Sequence, residues 1–467
     1  MSVSSDEGHR AESLFDPHSI SSVMFWISTM PGLNDSFRLS IRPSCCALTL
    51  MKSVCTDTPA PIKNMVKLGS GFWSLADQGG VSLGTFLSNW ILARNLDRLD
   101  YGIFALLFGI LLIALSIHST FIAIPLSVLG ADSTDRERKH LTGYAFVFAA
   151  IIAVPMGFVC LGACISLKRA ALSPLVVIAM FSWLLQETAR RALMAELRYR
   201  DALWGDAISY LGQVLALVIV FHERLLRIPT AFVVMASTSL IAAVLQVSQV
   251  GVMMPRWHDM LPVVKRFYSL GIWPMLGSLI SSGVAQVFPW TLAIARGPAQ
   301  TAMYQAAVNL LAVSHPLLFS IGNLIVPSSA RAMATDGIHA AKSVALRYGA
   351  QGALLVGPYY LLLFLVPRRV LNLLYGASSP YVSFGYGVRI FVVAYILVYL
   401  SQVLSALFNG IARSKLSFTA SLAGATIALI VTIPLIALTG IKGALSAFCF
   451  FWGARCMLLI YCYRRAI

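Results

Sequence analysis

From residue 69 to residue 463 the chain is a succession of long apolar runs separated by short polar or Pro/Gly-rich breaks. A helix needs about 20 apolar residues to cross a bilayer, and twelve such segments can be placed. In the first half they cover residues 70–92, 101–129, 141–165, 172–190, 202–221 and 229–253. In the second half they cover residues 267–295, 302–326, 348–366, 384–408, 418–438 and 443–463. Several are longer than one bilayer requires, which predicts tilted helices or helices that extend beyond the membrane. The expected fold class is an all-α polytopic membrane protein of about twelve transmembrane helices.

Composition sharpens this. The 467 residues are 58% hydrophobic and 12% charged, against roughly 25% charged in an average soluble domain, which excludes an ordinary soluble enzyme. The 35 Lys plus Arg against 19 Asp plus Glu give a net charge of +16. In a soluble chain that balance would point to nucleic acid; between membrane spans it points to basic loops facing anionic lipid. Membrane lipids are therefore expected partners and nucleic acid is not. Assigning the loops alternately to two sides puts Arg136, Arg138, Lys139, Arg198, Arg200, Lys265, Arg266 and Arg331 on one of them, with Lys342, Arg347, Arg464 and Arg465. The other side holds fewer, among them Arg94, Arg98, Lys168 and Arg296. The excess places both termini in the cytoplasm.

Residues 1–64 are of another kind, rich in Ser, Asp and Pro, and their longest apolar stretch is too short for a signal core. They are expected to be a disordered or non-native N-terminal extension without a function of their own. The rest divides into a six-helix bundle over 65–254, a polar cytoplasmic linker over 255–266 and a second six-helix bundle over 267–467. A weak internal repeat supports that division. Trp73, Arg94 and Tyr101 recur as Trp273, Arg296 and Tyr304 at nearly equal gaps, and six helices per half relate the halves by an axis along the membrane normal.

The first helix carries the most informative residues. At about 100° per residue, Asp77, Gln78, Ser82, Gly84, Thr85, Ser88 and Asn89 fall on one arc and Leu75, Leu83, Phe86, Leu87 and Trp90 on the other. Lipid cannot satisfy Asp77, Gln78 and Asn89, so the arc faces other helices or a hydrated cavity. Close packing through Gly80, Gly84 and Ser88 is the competing explanation. In the seventh helix Pro274, Ser278, Ser282, Gln286 and Pro289 share a face. Two half-equivalent polar helices imply a central cavity between the bundles, with ordinary kinks as the alternative.

The densest charge lies in residues 186–200. Glu187 is spaced to pair with Arg190 and Arg191 as a self-neutralised helix end, or the two arginines form a landing site for a lipid pyrophosphate, whose oxygens suit planar forks. Asp206, Tyr210 and Gln213 follow on one face of the fifth span, with Asp206 expected near the interface. Arg389, near the start of the tenth span, is a further head-group candidate. His118 and His315 have no ligand-spaced neighbours and read as packing histidines. The eight cysteines form no metal-spaced cluster; Cys160, Cys164, Cys449, Cys456 and Cys462 read as small buried hydrophobes. There is no phosphate-cradling, zinc-protease, nucleophile-elbow or dinucleotide motif. No enzyme, catalytic residue, cofactor or metal site is therefore expected, and transport would draw on an ion gradient, H+ or Na+, or on consumption of the product.

The stretches Gly71-Phe-Trp-Ser-Leu-Ala-Asp-Gln-Gly79, Phe86-Leu-Ser-Asn-Trp-Ile-Leu-Ala-Arg94 and Tyr101-Gly-Ile-Phe-Ala105 resemble the first two helices of bacterial polysaccharide flippases of the multidrug/oligosaccharidyl-lipid/polysaccharide (MOP) exporter superfamily. Residues 186–210 resemble the fourth and fifth helix region of the same group. The resemblance implies two bundles around a lumen that opens alternately to each side of a bacterial inner membrane. The implied cargo is a lipid-linked oligosaccharide, a polyprenyl pyrophosphate sugar, with envelope polysaccharide assembly proteins as partners. Asp77, Gln78, Asn89, Arg190, Arg191, Gln286 and Arg389 are then the candidate substrate or coupling residues. A cation-coupled multidrug or small-solute antiporter is the rival within that architecture. A membrane-embedded polysaccharide polymerase and a non-transporting scaffold are the rivals outside it.

Overall fold

Helix follows helix with no strand among the described residues. The structure, a computed structural model, describes residues 68–131 and 133–466, so the proposed extension over 1–64 lies outside the described residues. The first half comprises α1 (Leu68–Asn95), α2 (Arg98–Gly130), α3 (Asp135–Ser166), α4 (Ala170–Ala195), α5 (Tyr199–His222) and α6 (Ile228–Val250). The second half opens with α7 (Met260–Arg296). Next comes α8, made of Pro298–Ala312 and its continuation over 315–336. Helix α9 covers 338–365, α10 is Pro380–Gly410, α11 is Ser414–Thr439 and α12 is Ile441–Ala466. A short helix, Pro367–Tyr375, connects α9 to α10.

Ten helical stretches among the described residues are long and apolar enough to cross a membrane. Helix α1 has the length, 28 residues or about 42 Å at 1.5 Å per residue, and its polar face holds it out of that set. The stretch His315–Leu365 counts once there but is broken at Gly337 (φ 77°, ψ −165°), a backbone geometry open to glycine and costly for any residue with a Cβ. With α1 and this division the chain makes twelve passages, in the places the apolar pattern predicts. The expected overlength helices are present as well, α3 with 32 residues and α7 with 37.

Local chemistry sets the helix ends. Asp97 accepts a hydrogen bond from the Asp100 N–H (2.7 Å) to start α2, and Thr134 with Glu137 forms a capping box at the head of α3. Within the first half α4 packs on α6 and α3, and α1 lies along α5. Within the second half α11 packs on α12, α10 on α9 and α12, and α7 on α11. Helix α2 joins the halves, running against α8 and α7.

Helix α1 reaches α5 because residue 84 is glycine. A Cβ there would lie 2.7 Å from Tyr210 Cβ and 2.9 Å from the Tyr210 carbonyl, whereas one on Gly80 meets nothing within 4 Å. Gly84→Val is therefore expected to lower the thermal unfolding midpoint in detergent micelles, by the equivalent of about 1–3 kcal/mol of overpacking. Gly80→Ala should shift it by no more than about 0.5 kcal/mol. Equal effects at the two sites would contradict the close α1–α5 crossing.

Candidate functional site

The largest concentration of buried charge lies where α1, α4 and α5 meet. Arg190 on α4 is 3% exposed and its guanidinium faces three carboxylates. Nη2 donates to Asp77 Oδ2 on α1 (2.8 Å), Nη1 to Glu187 one turn back (3.3 Å) and Nε to Asp206 on α5. Glu187 is shared, since Arg191 Nε donates to its Oε1 at 2.6 Å. Arg191 keeps a third of its side-chain surface exposed while Asp77, Glu187 and Asp206 are buried. Helical spacing explains half of this arrangement, the Glu187 pairs at i+3 and i+4. Tertiary packing supplies the other half, because Asp77 and Arg190 are 113 residues apart.

A ring of polar side chains holds the cluster. Gln186 Nε2 donates to Asp206 Oδ1 (2.8 Å), and Gln246 on α6 donates to the same oxygen (3.2 Å) and to the Ala202 carbonyl (2.9 Å). His118 on α2 pairs through Nε2 with the Thr188 hydroxyl (2.8 Å). Two π-helical turns begin beside the cluster, Ser119–Ala123 after His118 and Ala207–Leu211 after Asp206, and such bulges redirect the side chains around them. Three carboxyl groups stand against two guanidiniums, one of them partly exposed. Buried Asp77 Oδ1 and Gln186 Oε1 have no hydrogen-bond partner. Next to the cluster a cavity of about 20 Å³ is lined by Thr85, Ser88, Asn89, Trp183, Tyr210, Gln213 and Ser239 among others, room for about one water.

No family profile matches the chain, and no curated protein matches it. Solved structures do match. An inward-facing multidrug resistance MATE family transporter of the MOP superfamily superposes with a TM-score of 0.69 at 13% identity, over 84% of this chain and 98% of that one. Lipid II flippase MurJ in an inward closed conformation gives 0.70 at 10% identity, over 84% and 87%. An outward-facing MATE transporter gives 0.59 at 12%, over 84% and 94%. The chain has the fold of the MOP superfamily transporters.

In this MOP fold the halves meet firmly on the side opposite the basic loops. Trp90 Nε1 donates to the Leu374 carbonyl (2.7 Å) and Asn309 Nδ2 to the Tyr101 hydroxyl (2.7 Å). Toward the basic side α1 is open: Gln78 is exposed, and nothing lies within 4 Å of where a Cβ on Gly79 or Gly80 would be. The polar arc of α1 is thus divided. Gln78 faces open space, Asp77 enters the ion cluster, and Asn89 is buried in the small cavity, its amide bonded to the Thr85 carbonyl (3.0 Å).

The other candidates fall elsewhere. Gln286 lies over Gly109 of α2, and Ser278 and Ser282 bond Ser116 on the same helix, so this face of α7 fastens the halves together. Arg389 donates to the Phe364 carbonyl (2.9 Å) at the end of α9, exposed and far along the fold from Asp77. Asp206, expected near the interface, is 2% exposed and central; the packing of α6 over α5 buries it, which the fifth span's own pattern does not reveal. Gln246 and Arg455 escaped the sequence reading although each is a polar residue within an apolar span, and that was the available signal.

Removing Arg190 strands Asp77 and Asp206 and leaves Glu187 with Arg191 alone. Arg190→Gln is expected to cost about 3–5 kcal/mol, read as a lower unfolding midpoint in micelles, and adding Asp77→Asn should recover part of the loss. Arg191→Gln, which removes a partly exposed partner, should cost less. A milder effect of Arg190→Gln than of Arg191→Gln would contradict the cluster.

Proposed function

We propose that this chain is an alternating-access membrane transporter that moves a lipid-linked oligosaccharide or polysaccharide precursor from the cytoplasmic to the outer leaflet. The observation that carries the transport reading is the division of α1: its polar face is open toward the basic side and sealed by hydrogen bonds between the halves on the other. A polar face open at one end and closed at the other is what an access state presents. An inward-facing transporter and an inward closed flippase of this fold superpose better than an outward-facing one, which supports an inward state, and the basic loops support a cytoplasmic side for both termini in a bacterial inner membrane. The likeness to a lipid II flippase supports a lipid-linked cargo.

Within this reading Asp77 is the coupling carboxylate. A third ionised carboxyl in its cluster is costly at membrane depth and is neutralised by a proton or a bound cation. A change in that occupancy alters the attraction between α1 and Arg190, which couples an ion gradient to the opening of α1. Arg190, enclosed by carboxylates in this state, becomes available to an anionic head group only when they are neutralised, whereas Arg191 is accessible throughout. The acid-rich cluster and the likeness to MATE transporters also favour a cation-coupled multidrug antiporter as the second reading.

Proteoliposomes separate the two. Outward flipping of a fluorescent polyprenyl pyrophosphate oligosaccharide, without efflux of a cationic dye, is the expected result, and the reverse pattern supports the antiporter. Asp77→Asn, which keeps shape but cannot ionise, should reduce the rate at least about ten-fold, the effect of 1.4 kcal/mol on a barrier. Its remaining rate should vary less with pH than the wild-type rate. Wild-type transport and pH response in Asp77→Asn would overturn the coupling role. Reporter fusions after Lys139, Arg200 and Arg331 are expected to report cytoplasm, and periplasmic activity at two of them would overturn the orientation.

A further inference from the structure

The two halves treat an arginine within a span in opposite ways, Arg190 being buried and Arg455 partly buried. Arg190 of the first half is matched by three acids, while Arg455 of the second half is matched by none. Arg455 is the fifteenth of the 26 residues of α12, about 21 Å from Ile441 at 1.5 Å per residue, which is mid-depth for a spanning helix. Among the described residues no carboxylate lies in ion-pair reach of it. Its contacts are the Ser405 hydroxyl on α10, which accepts from Nη2 at 3.3 Å, and the Trp452 ring, whose centroid is 5.0 Å from Cζ. Stacking on an aromatic face contributes about 0.5–2 kcal/mol, well short of what an ionised group loses on leaving water.

The polar atoms around it are mostly donors without partners. Arg455 Nε is buried and unbonded, as is Trp452 Nε1 one turn earlier on the same helix. The Ser401 hydroxyl, one turn from Ser405 on α10, is fully buried and also unbonded. Buried polar groups are normally paired, and two unbonded N–H groups, Arg455 Nε and the Trp452 indole, at an acid-less guanidinium are both satisfied by a ligand rich in acceptors. Open space lies nearby. A crevice of about 290 Å³ between α7 and α11 is lined by Ser281, Asn409, Ser417 and Ser421 among others. Asn409 is one helical turn from Ser405. Ser421 is three residues from Gly424, where a Cβ would stand 3.4 Å from Arg455 Cβ. Arg455 itself does not line the crevice, which stops at neighbouring turns of α10 and α11.

We propose that the second half carries an oxyanion-binding site, formed by Arg455 with Ser405 and Trp452 and with Ser401 one turn along α10, that takes a phosphate-class group. A guanidinium presents parallel donors in a fork that matches two phosphate oxygens, and the serine hydroxyls and the indole N–H add donors around it. The phosphate belongs either to a soluble anion or to a lipid head group, and the recognition chemistry is the same. Binding here does not depend on the transport reading, since a site of this kind can be occupied whether or not the chain flips a lipid.

The test uses the full chain purified in maltoside micelles, which carry no phosphate. Thermal unfolding is followed while inorganic pyrophosphate is titrated, with chloride at matched ionic strength as control. A second titration adds phosphatidylglycerol against phosphatidylcholine. A saturable rise of the midpoint with pyrophosphate assigns the site to a soluble anion, and a rise with phosphatidylglycerol alone assigns it to a lipid head group. In either case Arg455→Gln should abolish the rise, and Arg455→Lys should weaken the apparent affinity at least about ten-fold. Ser401→Ala, which removes one hydroxyl and is expected to fold, should weaken it several-fold and serves if the arginine variants do not fold. No saturable response to either ligand, an equal response to chloride, or a response unchanged in Ser401→Ala and Arg455→Gln would overturn the proposal. Because the readout is binding, failure of sugar flipping in vesicles leaves this result standing.

Discussion

The first half of the molecule is organised around one buried guanidinium. Arg190 draws a carboxylate from α1, one from its own helix and one from α5, so three helices are registered against each other by a charge that cannot be left alone. In a low-dielectric interior the attraction is strong and so is the cost of breaking it. Gln186, Gln246 and His118 take their positions from it, and the π-helical turns after His118 and Asp206 give the chain the extra residue needed to aim those side chains inward. Gly84 allows α1 close enough for Asp77 to arrive.

The same arrangement explains why the site has two states open to it. Three acids face two bases, and a third buried ionised carboxyl is relieved by a proton, by a cation or by movement of one partner toward water. Asp77 is the partner with the most freedom, because the turns of α1 beside it face open space while Asp206 is gripped by Gln186 and Gln246. A shift of α1 also reaches the far side, where Trp90 and Arg94 of the same helix hold the Leu374 carbonyl. Local charge and global closure therefore share one helix.

Much of the architecture was legible in the order of residues. Apolar length located ten of the long helical stretches among the described residues, and the polar arc of α1 stood out because lipid cannot solvate Asp77 or Asn89. The i+3 and i+4 spacing showed that Glu187 would meet Arg190 and Arg191. The partners across helices were not legible, since nothing in the spacing of residues 77 and 190 says which faces of α1 and α4 oppose each other. The burial of Asp206 was hidden for that reason, since it comes from α6 laid over α5. Gln286 lies over the bare backbone of Gly109, a neighbour that its own helix does not announce. Arg455 was visible as a charge amid apolar residues, but that no acid lies near it is a property of the packed helices.

The central claim is that the ionisation of the Asp77 cluster decides which end of α1 is open. It is tested most directly by thiol accessibility in proteoliposomes, with native cysteines replaced and single cysteines placed at Gln78, on the open stretch, and Asn89, in the sealed one. An impermeant maleimide should label position 78 and spare position 89 in one pH regime, and the pattern should reverse in the other. With Asp77→Asn added, the pattern should stay fixed at every pH. A labelling pattern that does not change with pH in the chain that retains Asp77, or that reverses equally well in Asp77→Asn, would contradict the account.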